Sequence, residues 1–115
     1  MNAVKTSGSS GKQLARRADQ AARLLRVMSN GHRLRVLCLL RDGEMSVGQL
    51  NELIDVSQSV LSQHLAVLRS HQLVKTRRVS QTIYYRVTPG PATRVIAALY
   101  TGYLGRRPIR GDQHA

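Results

Sequence analysis

Residues 46–70, SVGQLNELIDVSQSVLSQHLAVLRS, decide the fold of this chain. Ser46 predicts the N-cap of a short helix that carries four apolar side chains, and Ser57 predicts the N-cap of a second one. Asp55-Val56 lies between them and favours a turn. The stretch therefore predicts two short helices joined by a tight turn.

The second of these helices has two different faces. Leu61, Leu65 and Leu68 recur at helical spacing and should face the core. The opposite face is mostly polar and uncharged, and it comprises Gln58, Ser59, Ser62, Gln63 and Arg69. Glutamine can make paired hydrogen bonds to adenine, and serine can reach bases or phosphates. A helix that is only solvated typically carries Glu and Lys instead, so this face predicts contact with nucleic acid.

Two further helices precede this pair. From Gln13 to Met28 one apolar stripe is formed by Leu14, Ala18, Ala21, Leu25 and Met28. Ser29 or Asn30 can cap the next helix, which should end at the breaker pair Asp42-Gly43. Residues 1–12 are rich in Gly and Ser and predict a flexible tail.

After the helix pair the pattern changes to alternation. A β-branched, aromatic or apolar set predicts two paired strands. It comprises Leu73, Val74 and Thr76 in the first strand and Thr82, Ile83, Tyr84, Tyr85 and Val87 in the second. Residues 77–81 are expected to form the connecting loop. Lys75, Arg77 and Arg78 make this hairpin basic, which suits contact with the DNA backbone, although a solvated loop at a sheet edge is the alternative.

A last helix should follow the Pro89-Gly90-Pro91 breaker. It is predicted from Ala92 to Leu104, with Val95, Ile96, Leu99 and Tyr103 on its apolar side. Residues 106–115 are predicted to be a basic tail. The single domain then spans residues 13–105.

Composition supports a polyanionic partner. The 115 residues contain 18 Lys and Arg against six Asp and Glu, giving a formal charge of +12. No run is apolar enough to span a bilayer and no export signal is visible, so a cytoplasmic protein without a membrane partner is expected. No nucleophile elbow or phosphate loop is present, which argues against an enzyme.

Two helices, a turn and a basic hairpin match the winged helix-turn-helix plan, in which the second helix enters the major groove. The predicted fold is mainly α with a small β-hairpin: four helices, two strands and a fifth helix. Double-stranded DNA is the expected partner. A winged helix that contacts protein or RNA is the rival interpretation, and its polar helix face would need no base preference.

Several separated motifs also resemble the ArsR (SmtB-like) regulators. They are LRVLCLL at 34–40, GEMSVGQL at 43–50, SQSVLSQHLAVLR at 57–69 and QTIYY at 81–85. The resemblance implies a homodimer formed through the first and last helices, an imperfect inverted repeat as the DNA target, and usually repression relieved by an inducer. An antirepressor or activator of the same fold, or a constitutive DNA-binding protein, stays open.

The predicted DNA-binding residues come from the chemistry of the helix face and hairpin and from the resemblance to the family. The resemblance supports Ser57, Gln58, Ser59, Ser62, Gln63 and His64. The hairpin and the helix end add further basic or polar side chains. These are Arg69, Lys75, Arg77, Arg78 and Gln81.

The metal sites of that family do not match this chain. Many members hold soft metals through a Cys-Val-Cys motif, and residues 46–48 read Ser-Val-Gly. Other members use acidic and His side chains between the last helices, whereas residues 91–104 contain neither. No metal and no cofactor are therefore expected.

Cys38 is the one cysteine of the chain. It lies in a stretch that resembles the sulfur- and redox-responsive branch of the family, in which this cysteine pairs with one in the last helix. The corresponding position here is Leu104, so that two-thiol switch is broken. A single thiol can still be oxidised or persulfidated if it is accessible and partly ionised. The alternative is an inert buried thiol that packs as a small apolar group.

Overall fold

A computed structural model describes residues 8–105. These residues form five α-helices and three short strands, and a π-helical turn follows the last α-helix. The order is α1 (Gly8–Met28), α2 (Gly31–Leu40), β1 (Met45–Ser46), α3 (Val47–Leu53), α4 (Gln58–Ser70), β2 (Val74–Val79), β3 (Thr82–Val87), α5 (Pro91–Leu99) and the π-helical turn (Tyr100–Leu104). This is the predicted winged helix-turn-helix architecture, with one additional strand.

The core lies where α2, α3 and α4 meet the sheet and α5. Helix α2 contributes its whole second half, Val36 to Leu40, and all five of these side chains are buried. Leu50 of α3 and Ile96 of α5 complete the centre. Full burial of an aliphatic side chain stabilises a fold by about 1.5–3 kcal/mol. Helix α2 is therefore the element around which the others pack.

Three helices begin at predicted capping residues. The Asn30 side chain accepts hydrogen bonds from the backbone N–H groups of His32 (3.0 Å) and Arg33 (3.1 Å). Ser46 forms a capping box with Gln49, since each side chain accepts from the other's backbone N–H. These bonds satisfy N–H groups that the first helical turn leaves free, which is why the chain turns into a helix there.

Helix α1 begins at Gly8 instead of Gln13, so residues 8–12 are helical and the predicted tail boundary is corrected. Adding residues to an existing helix costs much less than starting one, which allows even a Ser/Gly segment to continue it. The rest of the predicted tails, residues 1–7 and 106–115, lies outside the described residues.

The apolar stripe predicted for helix α1 is buried only at its C-terminal end. Met28 packs against the core together with Val27. Leu14 and Leu25, three helical turns apart, are 69% and 52% exposed. This part of the stripe therefore has no partner within the described part of the protomer, and we call it the free apolar face of α1.

The three strands form one antiparallel sheet in the order β1-β3-β2. Strand β1 pairs Met45 with Tyr85 and was not predicted, because two residues carry no readable alternation. Strands β2 and β3 pair from Val74↔Val87 to Val79↔Thr82. The predicted loop 77–81 is thus wrong in length, since only Ser80 and Gln81 form the turn. Charged side chains on the outer face of a strand resemble those of a loop, which explains the error.

The last helix also differs from the prediction. Ala92, Ile96 and Tyr100 are buried, whereas Tyr103, predicted on the apolar side, is 86% exposed. The π-helical turn from Tyr100 to Leu104 explains this, because its wider spacing rotates side chains away from the α-helical register.

No helix among residues 8–105 is both long and apolar enough to cross a membrane.

Candidate nucleic-acid interface

One face of helix α4 packs in the core, and the other face is exposed to solvent. Leu61, Leu65 and Leu68 are each at most 1% exposed, as their spacing predicts. Ser57 caps the helix by accepting from the Val60 N–H at 3.1 Å. The side chains on the other side are exposed, and we call them the α4 polar face: Gln58, Ser59, Ser62 and Gln63. This face can therefore meet hydrogen-bonding groups of a ligand without unpacking the core.

The turn between α3 and α4 is fixed by a residue that sequence reasoning missed. The Asn51 amide donates to the backbone carbonyls of Ile54 (3.2 Å) and Val56 (2.8 Å). Ile54 is buried and anchors the same turn in the core. The two helices are consequently joined at a set angle. An Asn shortly before a turn was the available signal, because its side chain readily bonds nearby backbone.

His64 lies apart from the α4 polar face. It is partly buried and turns towards α2, where its Nδ1 is 3.4 Å from Nη1 of Arg33 and its ring centroid is 5.5 Å from that of His32. Arg33 is itself anchored, since its Nε donates to the Val27 carbonyl at 2.7 Å. Burial first, and then the electrostatic effects of Arg33 and His32, lower the pKa of His64. The His64 imidazole thus contacts the Arg33 guanidinium on α2. The predicted contact of His64 with DNA stays a prediction.

The hairpin formed by β2 and β3 is the predicted wing. Arg77 and Arg78 lie within β2, not in its loop. The Nε of Arg78 donates to the Ser80 carbonyl at 3.1 Å, across the turn. Ser80 has φ of 57°, the left-handed conformation that a two-residue hairpin turn favours. The turn is short, so Arg78 and Gln81 lie close to the tip of the wing.

The outer face of the sheet is basic along its length. Lys75 stands directly opposite Arg86, and Arg77 stands opposite Tyr84. Like charges directly opposite each other weaken strand pairing, which makes an anionic partner for this face favourable. Arg69, at the end of α4, lines a groove with Lys75 and Arg86. Arg86 was missed because its neighbours predicted only a strand.

Arg69 lies at the C-terminal end of α4, beyond the α4 polar face, which covers the first half of the helix. Eleven residues separate Gln58 from Arg69, which corresponds to about 17 Å along a helix. Apart from His64, the predicted residues thus fall into three groups: the α4 polar face with Ser57, the wing with Arg77, Arg78 and Gln81, and the groove with Arg69 and Lys75.

One wing cation is already paired. Arg77 donates from Nε to Oε2 of Glu44 at 3.0 Å and from Nη2 to Oε1 at 2.7 Å. Its guanidinium also lies 5.5 Å from the centroid of the Tyr84 ring. The hydrogen bonds from Arg77 are the main reason that the pKa of Glu44 is lowered. Glu44 was not predicted as a site residue, since 33 positions separate it from Arg77.

Cys38 is buried in the core between α2 and the end of α5, with 1% of its surface exposed. The Tyr100 hydroxyl approaches the thiol without a well-aligned hydrogen bond, and the Arg41 guanidinium lies 4.2 Å from the Tyr100 ring centroid. Burial raises the pKa of Cys38, and Arg41 and Tyr100 only partly oppose it. These features favour the alternative of an inert packed thiol.

No group of three or more His, Cys, Asp and Glu side chains within residues 8–105 is arranged to hold a metal ion. The cationic and polar groups described above are therefore the chemistry that the site offers. It suits an extended phosphate-bearing ligand with hydrogen-bonding edges.

The sequence is similar to those of known proteins. The family model described as "Bacterial regulatory protein, arsR family" matches residues 30–76. The Biofilm growth-associated repressor of Xylella fastidiosa is 42% identical over 90 residues, which cover 78% of this chain and 79% of that protein. The Transcriptional activator HlyU of Vibrio cholerae is 40% identical over 92 residues, 80% of this chain and 85% of HlyU.

A solved structure is also similar. Reduced HlyU from Vibrio cholerae superposes with a TM-score of 0.78 at 39% identity, covering 82% of this chain and 99% of that one. The structural similarity therefore extends over most of this chain.

Proposed function

The chain belongs to the arsR family of bacterial regulatory proteins, and from that membership we propose that it binds an imperfect inverted repeat in duplex DNA as a homodimer and represses transcription. It is a DNA-binding transcriptional regulator. The observation that carries the finer proposal is the α4 polar face, which is exposed and uncharged beside a basic wing.

The α4 polar face supplies base recognition in this proposal. Gln58 and Gln63 offer amide groups of the kind that bond adenine in pairs, and Ser59 and Ser62 suit bases or phosphates. The wing and the groove supply phosphate contacts through Arg78, Lys75 and Arg69. Phosphate contacts position a protein on DNA, and base contacts select the sequence.

The second copy is proposed to cover the free apolar face of α1. Leu14 and Leu25 are exposed there, and Tyr103 is exposed at the end of the last helix. Large apolar side chains grouped on one surface mark protein contacts. Two copies related by a two-fold axis would present two α4 helices, and a two-fold dimer matches an inverted repeat.

The dimer is tested by Leu25→Arg, which places a charge in the proposed interface. We expect the mass measured by light scattering to fall from dimer to monomer. Leu53→Arg is the matched control, because Leu53 is also half exposed but lies on α3. A dimeric Leu25→Arg protein would contradict the proposed interface.

Repression is proposed over activation because it requires only that a bound dimer occupy a promoter. One named relative is a repressor and another is an activator, so family membership is compatible with either repression or activation. A reporter gene under the bound promoter distinguishes them: expression should fall when the protein is present. A rise would identify an activator or an antirepressor.

Sequence recognition is tested with duplexes recovered by selection from a random pool. Fluorescence anisotropy at rising salt should show tight binding to the selected duplex and weaker binding to a scrambled one. Specific binding typically exceeds non-specific binding by at least about a thousandfold. Equal affinity for both duplexes would contradict the proposal and favour a sequence-independent basic module.

A further inference from the structure

Glu44 and Arg77 form an ion pair that the proposed function does not require. Glu44 comes just before β1, and Arg77 lies on β2, so the pair reaches across the central strand β3. Both carboxylate oxygens accept from Arg77, and the side chains remain 28% and 56% exposed.

We propose that Glu44 is a positioning residue that sets DNA specificity, because it fixes the Arg77 guanidinium in one orientation and cancels its charge. The inference rests on the proposed function, since it concerns how the wing contacts DNA. Arg77 then contributes to the choice of sequence more than to general attraction for phosphate.

Stability does not explain the pair. Exposed ion pairs contribute little to folding, because solvent screens them and two long side chains must be held in place. What the pair does determine is geometry. The Glu44 carboxylate accepts hydrogen bonds from Nε and from one N–H of Nη2 of Arg77. The guanidinium of Arg77 also lies over the Tyr84 ring, 5.5 Å from its centroid. Within residues 8–105, three of the five guanidinium N–H groups of Arg77 have no hydrogen-bond acceptor.

The charge of Arg77 is also balanced. A glutamate carboxyl is ionised at neutral pH even with its ordinary pKa, and Arg77 lowers the pKa of Glu44 further, so the pair has no net charge. Arg86 also acts electrostatically on Glu44, but within the described residues neither Arg86 nor Lys75 has a hydrogen-bonded ion pair of this kind. On an arbitrary duplex, an unpaired Arg77 would seek the nearest phosphate, as Lys75 and Arg86 can. With Glu44 present, only a duplex whose shape brings an acceptor to the free N–H groups gains from Arg77.

The test is Glu44→Gln, which keeps the size of the side chain and removes its charge. Binding to a scrambled duplex should become tighter, and its salt slope should steepen by about one, as for one added phosphate contact. Binding to the duplex selected with the wild-type protein should change less. The ratio of the two affinities should fall about two- to fivefold, the size expected from releasing an exposed ion pair.

Glu52→Gln is the matched control, because it removes the same charge from the exposed surface of α3. It should leave the affinity ratio unchanged. Arg77→Ala provides the second control: adding Glu44→Gln to Arg77→Ala should have no further effect on the ratio.

Three results would overturn the inference. They are an unchanged affinity ratio in Glu44→Gln, an equal fall in the Glu52→Gln control, and an undiminished effect in the Arg77→Ala background. If instead the wild-type protein binds both duplexes equally, the proposed function itself fails, and that result is visible before any variant is made.

Discussion

Iodoacetamide should label Cys38 at least about a hundredfold more slowly in the folded protein than in the chain denatured by urea. The thiol is 1% exposed, so the reagent can reach it only when α5 or the core opens. A hundredfold suppression corresponds to an opening free energy of about 2.8 kcal/mol. That is well below the 5–15 kcal/mol typical of global unfolding, so even a local opening should give this protection.

The ionisation of the thiol acts in the same direction. An ordinary thiol, with a pKa of about 8.5, is roughly one-tenth thiolate at pH 7.5. Burial raises the pKa of Cys38, so its thiolate fraction is smaller. The folded-state rate should therefore continue to rise above about pH 9.5, where an ordinary thiol is already about nine-tenths thiolate.

The assay is mass spectrometry of protein quenched at set times, and it is unambiguous because the chain has one cysteine. Cys38→Ala should show no added mass and should bind the selected duplex as the wild type does. Labelling within about tenfold of the denatured rate would refute the argument from burial. A peroxide or persulfide that releases the wild type from DNA, but not Cys38→Ser, would establish the thiol as a sensor.

The remaining predictions concern stability, pH and the wing. Leu65→Ala should lower the free energy of unfolding, measured in urea, by about 3–5 kcal/mol, because it leaves a cavity in the core. The control Leu53→Ala, at an exposed position, should lower it by less than about 1 kcal/mol. A loss at Leu65 as small as that at Leu53 would contradict the burial of Leu65. Since the pKa of His64 is lowered in the folded state, the unfolded chain binds more protons and stability should fall as pH drops from 7.5 to 5.5. His64→Gln should flatten that dependence, with His71→Gln as the matched control, and an unchanged slope would show that His64 does not cause it. Arg78→Ala should weaken binding to all duplexes similarly and reduce the salt slope by about one; a change in base preference would show that Arg78 reads the groove.

Local interactions were the predictable part of the fold. Asn30, Ser46 and Ser57 bond backbone groups only two or three residues ahead, so the sequence alone identifies these helix starts. Leu61 and its partners on α4 were predictable for the same reason, since helical spacing fixes which side they share.

Non-local pairing was not predictable in the same way. Strand β1 exists because Met45 and Ser46 meet β3 some forty positions later, and nothing in two residues signals that. The Glu44–Arg77 pair depends on the same arrangement. The position of Tyr103 was wrong because a local change to π-helical geometry alters the period on which the prediction relied.

The structure separates the predicted site in a way that the sequence did not. Its members were grouped by chemistry, as polar or basic residues after a helix cap. In the structure His64 turns towards α2, and Arg69 lies at the far end of α4. Direction and distance come from packing, which a list of residue types does not contain.

The division of α4 into a buried face and an exposed face also bears on how new binding preferences can be made. The leucines that hold the helix are distinct from the four residues of the α4 polar face. Exposed substitutions of this kind usually change stability by no more than about 0.5 kcal/mol. Most members of a library randomised at Gln58, Ser59, Ser62 and Gln63 should thus stay folded. Selection would then act on the DNA sequence that each member binds and not on whether the protein folds.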